Sequence, residues 1–312
     1  MKLTNKEYHG VNDYIGSTTL KAFQKNPRKA IYEMQNKQHK EIYDFGSYYH
    51  TAILEPELLE KEYFVFNPDN RPFPEQTFGK KENKIWKEEQ EQNTIELHKT
   101  FFSLDNHNII MEMKKELFKY PRMQDICTKY NNPEESYLVE GFVILCNKEP
   151  ENNDFSYYTE LSNGVKVYRN DKGFWKIYDP KLKLEKCYSM NAKVRPDIDT
   201  SHFLGDLKTC SCNDPRKFIW TIKDLGYDLQ GAYYTDVYFT ATGIEKPLNF
   251  HLITQEKTPP YNVEIPFELS DEILEEGRLK YLESAYRLLK YKATGETFGY
   301  IEPEEGQFSY KI

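Results

Sequence analysis

Residues 195–209 read RPDIDTSHFLGDLKT. Two short β-prone runs meet across this segment, so a hairpin brings Asp197 at the end of one beside Asp206 in the other. Strand side chains alternate, which puts Asp206 and Lys208 on one face and turns Leu207 into the core, its backbone carbonyl a further candidate oxygen ligand. Hard oxygen ligands of this kind select Mg²⁺ or Mn²⁺. Such ions lower the pKa of bound water, neutralise a phosphate and stabilise a leaving oxygen, and a neighbouring lysine orients the nucleophile. This is the chemistry of phosphodiester hydrolysis. For the D-x-K triplet taken alone the alternative is a solvated strand end, because 29% of the chain is charged.

The segment does not stand alone. About 20 residues downstream, YDLQGAYYTDVY sets Gln230 and Tyr234 at i and i+4 on one helical face, and upstream FGSYYHTAILEP gives Gly46 and His50 the same spacing. Separately these read as an amphipathic face and a core histidine. Their order along the chain is what joins them to the D-x-K strand.

Further out, the first third is mainly helical. Ser17 and the threonines after it are the expected N-cap of a helix carrying Leu20, Phe23, Ala30 and Ile31, broken at Pro27; a second helix runs over 44–54, and 67–79 reads as a loop. Residues 80–99 form a solvated helix or mobile arm, and 104–120 a better amphipathic helix. From Tyr137 the runs YLVEGFVIL, GVKVY, FWKIY, CYSMNAKVRPDI and HFLGDLKT are strands. Helices over 215–225 and 228–242, strands LNFHLITQE and YNVEIPFEL, and a closing helix over 271–291 follow, with GETFGYIEPEEGQFSYKI as an extended tail. This order gives one α/β domain over 1–312: a helical part over 1–130, a sheet-containing core over 131–268, and the closing helix and tail over 269–312.

Composition narrows the function. The chain has 312 residues and a net charge of -8, with mean hydropathy -0.80, 25 tyrosines and 19 phenylalanines. That balance suits a folded, soluble, cytoplasmic protein without a membrane span, and any nucleic-acid contact must be local or carried by metal ions. The five cysteines form no C-x-x-C pair and are read as reduced thiols. There is no G-x-x-x-x-G-K-[ST] loop, no G-x-G-x-x-G after a strand and no nucleophile elbow.

Taken in order, Gly46-x-x-x-His50, Arg195-Pro196-Asp197, Asp206-x-Lys208-Thr209 and Gln230-x-x-x-Tyr234 resemble the PD-(D/E)XK nuclease superfamily, and within it the exodeoxyribonuclease VIII (RecE-type) nuclease domain of phage recombination systems. YHG, LKAFQKNPRKAIYE, TQEKTPPYNVEIPFEL and GRLKY extend the likeness over most of the chain. The resemblance implies a restriction-endonuclease-like core: a mixed central sheet flanked by helices, with a helical N-terminal addition. It implies that His50, Asp197, Asp206 and the Leu207 carbonyl bind Mg²⁺, for which Mn²⁺ substitutes, and that Lys208 activates the attacking water. Gln230 and Tyr234 would line the site and touch DNA, and Arg195 and Thr209 would meet phosphate.

Two departures stand out. The family's glutamate lies shortly before the RPD strand, whereas here Glu135 and Glu140 precede it by some 50 residues and Glu185 is a third contender; Glu135 is favoured, against a plain surface glutamate. Nor is there the C-terminal cysteine group of relatives with an iron-sulfur cluster, so no cluster is expected.

The implied activity is 5′ to 3′ exonuclease action on linear double-stranded DNA, leaving 3′ single strands for a single-strand annealing recombinase. The implied assembly is a homo-oligomeric ring whose basic channel draws on KKENKIWK, KLKLEK and NAKVR, although KKENKIWKEEQEQ is better read as a solvated helix. The alternatives are an endonuclease or single-strand nuclease on the same fold, and a noncatalytic DNA-binding or interaction protein that retains it.

Overall fold

The computed structural model describes residues 2–3, 5–36, 41–131, 135–151, 155–161, 164–245 and 250–300. The chain opens with α1 (Asn5–Gly10) and β1 (Tyr14–Ile15), followed by α2 (Ser17–Lys25) and α3 (Pro27–Gln35). Gly16, not Ser17, occupies the N-cap of α2, because Ser17 is already helical and buried against the core. The break at Pro27 is where the sequence sets it: the Asn26 side chain accepts from the Lys29 N–H at 2.9 Å and Pro27 starts α3.

Next come α4 (Glu41–Leu54), α5 (Leu59–Glu62), β2 (Tyr63–Phe66), α6 (Lys81–Glu96), β3 (Thr100–Ser103), α7 (Leu104–Leu117) and α8 (Pro121–Lys129). The strands β2 and β3 form a small parallel pair that the sequence of this helical part does not announce. The region 80–99 settles as a helix with ion pairs Lys84–Glu88 and Lys87–Glu91, the solvated reading of those balanced charges.

The β-rich middle supplies β4 (Tyr137–Cys146), β5 (Tyr157–Glu160), β6 (Lys166–Arg169), β7 (Trp175–Tyr178), β8 (Tyr188–Val194), β9 (Ile198–Asp199) and β10 (Leu204–Cys210). After α9 (Pro215–Asp224) and α10 (Tyr227–Thr242) come β11 (Phe250–Glu256), β12 (Phe267–Leu269) and α11 (Asp271–Thr294). The strands divide into mixed sheets ordered β1-β8-β4-β7-β6-β5 and β12-β11-β10-β9, and the chain passes between them at Arg195-Pro196-Asp197. The YNVEIPFEL run is a strand only over Phe267–Leu269, with Val263 bridging Gln255, because Pro266 has no N–H to donate. Of the tail, Phe298 packs back, its carbonyl accepting from Arg28 N–H at 3.0 Å; residues 301–312 lie outside the described residues.

Strand β10 explains where the chemistry sits. It pairs in parallel with β11 over its whole length, and α9 with α10 makes the crossover that a parallel pair requires. Leu204 and Cys210 enter the apolar cluster under α2, α10 and α11, whereas Leu207 enters a second cluster with Tyr48, Tyr49, Ile53 and Ile253. Asp206 and Lys208 therefore lie on the α2/α10 face. Helix α10 is buried nearly all round, and a Cβ on Gly277 of α11 would stand 2.1 Å from the Asp228 carbonyl, so only glycine allows the two helices this approach. No described helix is long and apolar enough to cross a membrane.

Candidate active site

The hairpin forms. Ile198 pairs antiparallel with Gly205, which puts Asp197 opposite Asp206 one step further out. The Thr200 hydroxyl closes the turn by accepting from the N–H groups of His202 and Phe203 at 3.1 and 2.8 Å. Asp197 Oδ2 accepts from the Leu207 N–H at 2.8 Å and faces His50 Nε2 at 3.0 Å. Asp206 is buried; its Oδ1 accepts from Gln230 Nε2 at 2.8 Å, and its Oδ2 is ion-paired with the Lys208 ammonium.

Helical spacing explains His50. One turn earlier, the Gly46 carbonyl lies 2.7 Å from Nδ1, which fixes that nitrogen as the donor and turns Nε2 into the site. The carbonyl holds the ring in one orientation and leaves Nε2 for Asp197 or for a bound cation.

Electrostatics distinguish the two carboxylates. Burial penalises charge on Asp197, but His50, Lys208 and the Leu207 N–H outweigh it and hold the carboxyl below its ordinary range. Burial lifts Asp206, and the charge on Asp197 adds to this against the pull of Lys208. Lys208 loses by burial and gains more from both carboxylates, so its ammonium is stabilised. Burial opposes charge on His50 as well, yet Asp197 lifts its pKa to about 9.

A stability prediction follows. The folded pKa of His50 lies above the unfolded value near 6.5, so the contribution of the His50–Asp197 pair is complete below pH 6.5 and disappears as pH rises through about 9. In EDTA, the stability difference between wild type and His50→Gln should shrink by about 3 kcal/mol from pH 6 to pH 10. Urea unfolding at the two pH values measures it, and a constant difference would refute the pairing.

The remaining predicted site residues are distributed unevenly. Gln230 and Tyr234 lie buried on the site side of α10; Gln230 holds Asp206, and the Tyr234 ring meets Phe250 edge-on at 5.7 Å. Arg195 stacks over the Tyr8 ring at 4.8 Å. Thr209 shares the Leu207 face of β10, away from Asp206 and Lys208, because the side-chain alternation that joins those two excludes it. Lys193, in the basic NAKVR stretch, is buried and donates to the Tyr8 and Val11 carbonyls, both at 2.7 Å, so its charge is taken up by the chain's own backbone. Among the candidate glutamates, Glu135 bridges to Lys2 near Tyr137, Glu140 accepts from the Tyr14 hydroxyl at 3.1 Å, and Glu185 is exposed.

Two further residues, Lys21 inside LKAFQKNPRKAIYE and Glu62, have no role assigned by the sequence. Lys21 of α2 donates to Gln230 Oε1 at 2.7 Å; burial, reinforced by Lys208, lowers its pKa to about 7. Besides its place in LKAFQKNPRKAIYE, its local signal is a lysine on the stripe of Ser17, Leu20 and Phe23 that α2 buries. Glu62 lies within electrostatic reach of Arg195.

Among the described residues, no group of three or more His, Cys, Asp and Glu donors stands arranged to hold a metal ion. The donors are instead drawn into pairs, His50 with Asp197 and Asp206 with Lys208. Their chemistry nevertheless fits a hard divalent cation: two facing carboxylates, one of them buried beside Lys208, and an imidazole anchored through its other nitrogen.

The family described as a PDDEXK-like domain of unknown function (DUF3799) matches residues 127–303, more than half of the chain and including Asp197, Asp206 and Lys208. The chain belongs to that family. Its PDDEXK-like fold is also that of a solved structure from Eubacterium rectale named "Putative exonuclease". The two share 13% identity over 96% of this chain and 89% of the other, with a TM-score of 0.53, a likeness of fold alone. No curated protein matches this PDDEXK-like chain.

Proposed function

We propose that the chain is a divalent-metal-dependent deoxyribonuclease, acting as a 5′ to 3′ exonuclease on linear duplex DNA and leaving 3′ single strands for an annealing recombinase. The observation that carries the reading is Asp197 facing Asp206 across the hairpin, with Lys208 and His50 on the same pair. Polarity, the recombination role and a ring of subunits around the duplex rest on the RecE-type resemblance of the motifs, and a cytoplasmic setting rests on the composition.

Asp197, Asp206 and His50 would hold Mg²⁺ or Mn²⁺, which supplies Lewis-acid stabilisation of the phosphate and a more acidic bound water. The chain's own groups do the rest. Lys208 places a positive charge where the attacking water and the phosphate meet, Gln230 fixes the Asp206 carboxylate by donating to Oδ1, and the Leu207 N–H fixes Asp197.

The test uses a linear duplex labelled at either end, with a covalently closed circle as control, in Mg²⁺. Release of the 5′ label first, with the circle intact, is the expected result. Cutting of the circle would replace this reading with an endonuclease, and loss of the 3′ label first would reverse the polarity.

A further inference from the structure

Lys21 and Asp206 grip opposite ends of one side chain. Lys21 Nζ donates to Gln230 Oε1 at 2.7 Å, and Gln230 Nε2 donates to Asp206 Oδ1 at 2.8 Å. The contact joins α2 to α10 across 209 positions of sequence, and the ammonium groups of Lys21 and Lys208 lie 5.0 and 5.3 Å from the same Tyr227 ring.

A glutamine amide has nearly the same shape in its two flipped orientations, so shape alone does not choose between them. The partners here do. The Asp206 carboxylate only accepts, so the amide must turn its N–H there, and Lys21, which has N–H to donate whether or not it is protonated, then meets Oε1; the flipped amide would set oxygen against Asp206 and N–H against Lys21. We propose that Lys21 is a positioning residue of the nuclease site, fixing the Gln230 amide so that its N–H engages Asp206 Oδ1 and leaves Oδ2 for the reacting centre. The inference rests on the nuclease reading above for its catalytic consequence, and on geometry alone for the orientation. Lys21 reaches Asp206 by hydrogen bonds through Gln230, so the larger part of its effect should be lost with Gln230.

The experiment combines Lys21→Met, Lys21→Arg and Gln230→Ala, singly and as the Lys21→Met/Gln230→Ala pair. In heteronuclear NMR spectra the Gln230 side-chain amide is identified by its loss in Gln230→Ala. That signal should shift in Lys21→Met, exchange with water about tenfold faster, and return toward wild type in Lys21→Arg. On linear duplex DNA in Mg²⁺, Lys21→Met should lower kcat by about tenfold with little change in KM. In the Gln230→Ala background the same substitution should change kcat less than about twofold.

An unchanged Gln230 amide in Lys21→Met, or the same kcat loss in both backgrounds, would overturn the proposal. Should Lys21→Met not fold, Lys21→Gln takes its place: its amide can donate or accept, so the Gln230 signal should split or average, and a single unshifted signal would be contrary. If wild type cuts no DNA, the nuclease reading fails while the amide signal still decides the orientation.

Discussion

Replacing Lys208 with alanine should lower kcat on linear duplex DNA by on the order of 10³-fold, because two losses coincide. The ammonium that faces Asp206 Oδ2 disappears, and with it the positive charge beside the phosphate and the attacking water. Burial and Asp197 already push Asp206 toward its protonated form, so without Lys208 it holds a proton at higher pH and becomes a poorer oxygen ligand. Single-turnover rates in Mg²⁺, with the fold checked by circular dichroism, measure the effect. A loss under about tenfold would remove Lys208 from the reacting centre.

The second large effect should be on stability and leave the chemistry untouched. Asp236 lies six residues beyond Gln230 on α10, is fully enclosed, and accepts from Arg278 Nε at 2.8 Å, Arg278 Nη2 at 3.0 Å and the Tyr281 hydroxyl at 2.5 Å. Arg169 lies 3.4 Å from the same carboxylate. Alanine there takes the shared carboxylate from two largely buried guanidinium groups, leaving Arg278 with Glu275, and breaking a buried pair from one side costs about 3–5 kcal/mol. Urea denaturation should show that loss. At a temperature where both proteins are folded, Asp236→Ala should keep wild-type hydrolysis within about twofold, since its partners lie on α11 and β6 and not on the His50–Lys208 cluster. A stability loss under about 1 kcal/mol would mean that Arg278 and Arg169 find other partners.

The two aspartates show what the sequence makes legible. Asp206 announces itself because strand alternation and a short hairpin fix its neighbours from a few residues away, and His50 does so through a spacing of one helical turn to Gly46. Asp236 carries no such local mark: its partners Arg278 and Tyr281 lie 42 and 45 residues away and meet it only when α10 packs on α11. Lys21 is further still from Gln230, so its place beside the carboxylates depends on the packing of the N-terminal helices.

Local rules also mislead where packing decides. Lys193 belongs to a basic-looking run, yet its β8 position points it under the first helix, where backbone carbonyls take its charge. Thr209 follows the D-x-K triplet in sequence but falls on the opposite face of the strand. Ser17 has the composition of a cap, and the core's hold on its side chain moves the cap to Gly16. The division of the β-rich middle into two hydrogen-bonded sheets is likewise invisible locally, because it turns on the kink at Arg195-Pro196-Asp197 and on which strands β4 and β10 recruit.

The most direct measurement is cleavage of an end-labelled linear duplex by wild type and by Asp206→Asn, each in Mg²⁺, in Mn²⁺ and in EDTA, with thermal unfolding run on both proteins. Asn keeps the shape of Asp206 and removes the charge that a divalent cation and Lys208 both require. Degradation by wild type in Mg²⁺ and Mn²⁺ but not in EDTA, and none by a folded Asp206→Asn, is the expected result. A wild type inert with both metals, or an Asp206→Asn protein that cuts at the wild-type rate, would contradict a metal-dependent nuclease centred on Asp197, Asp206 and Lys208.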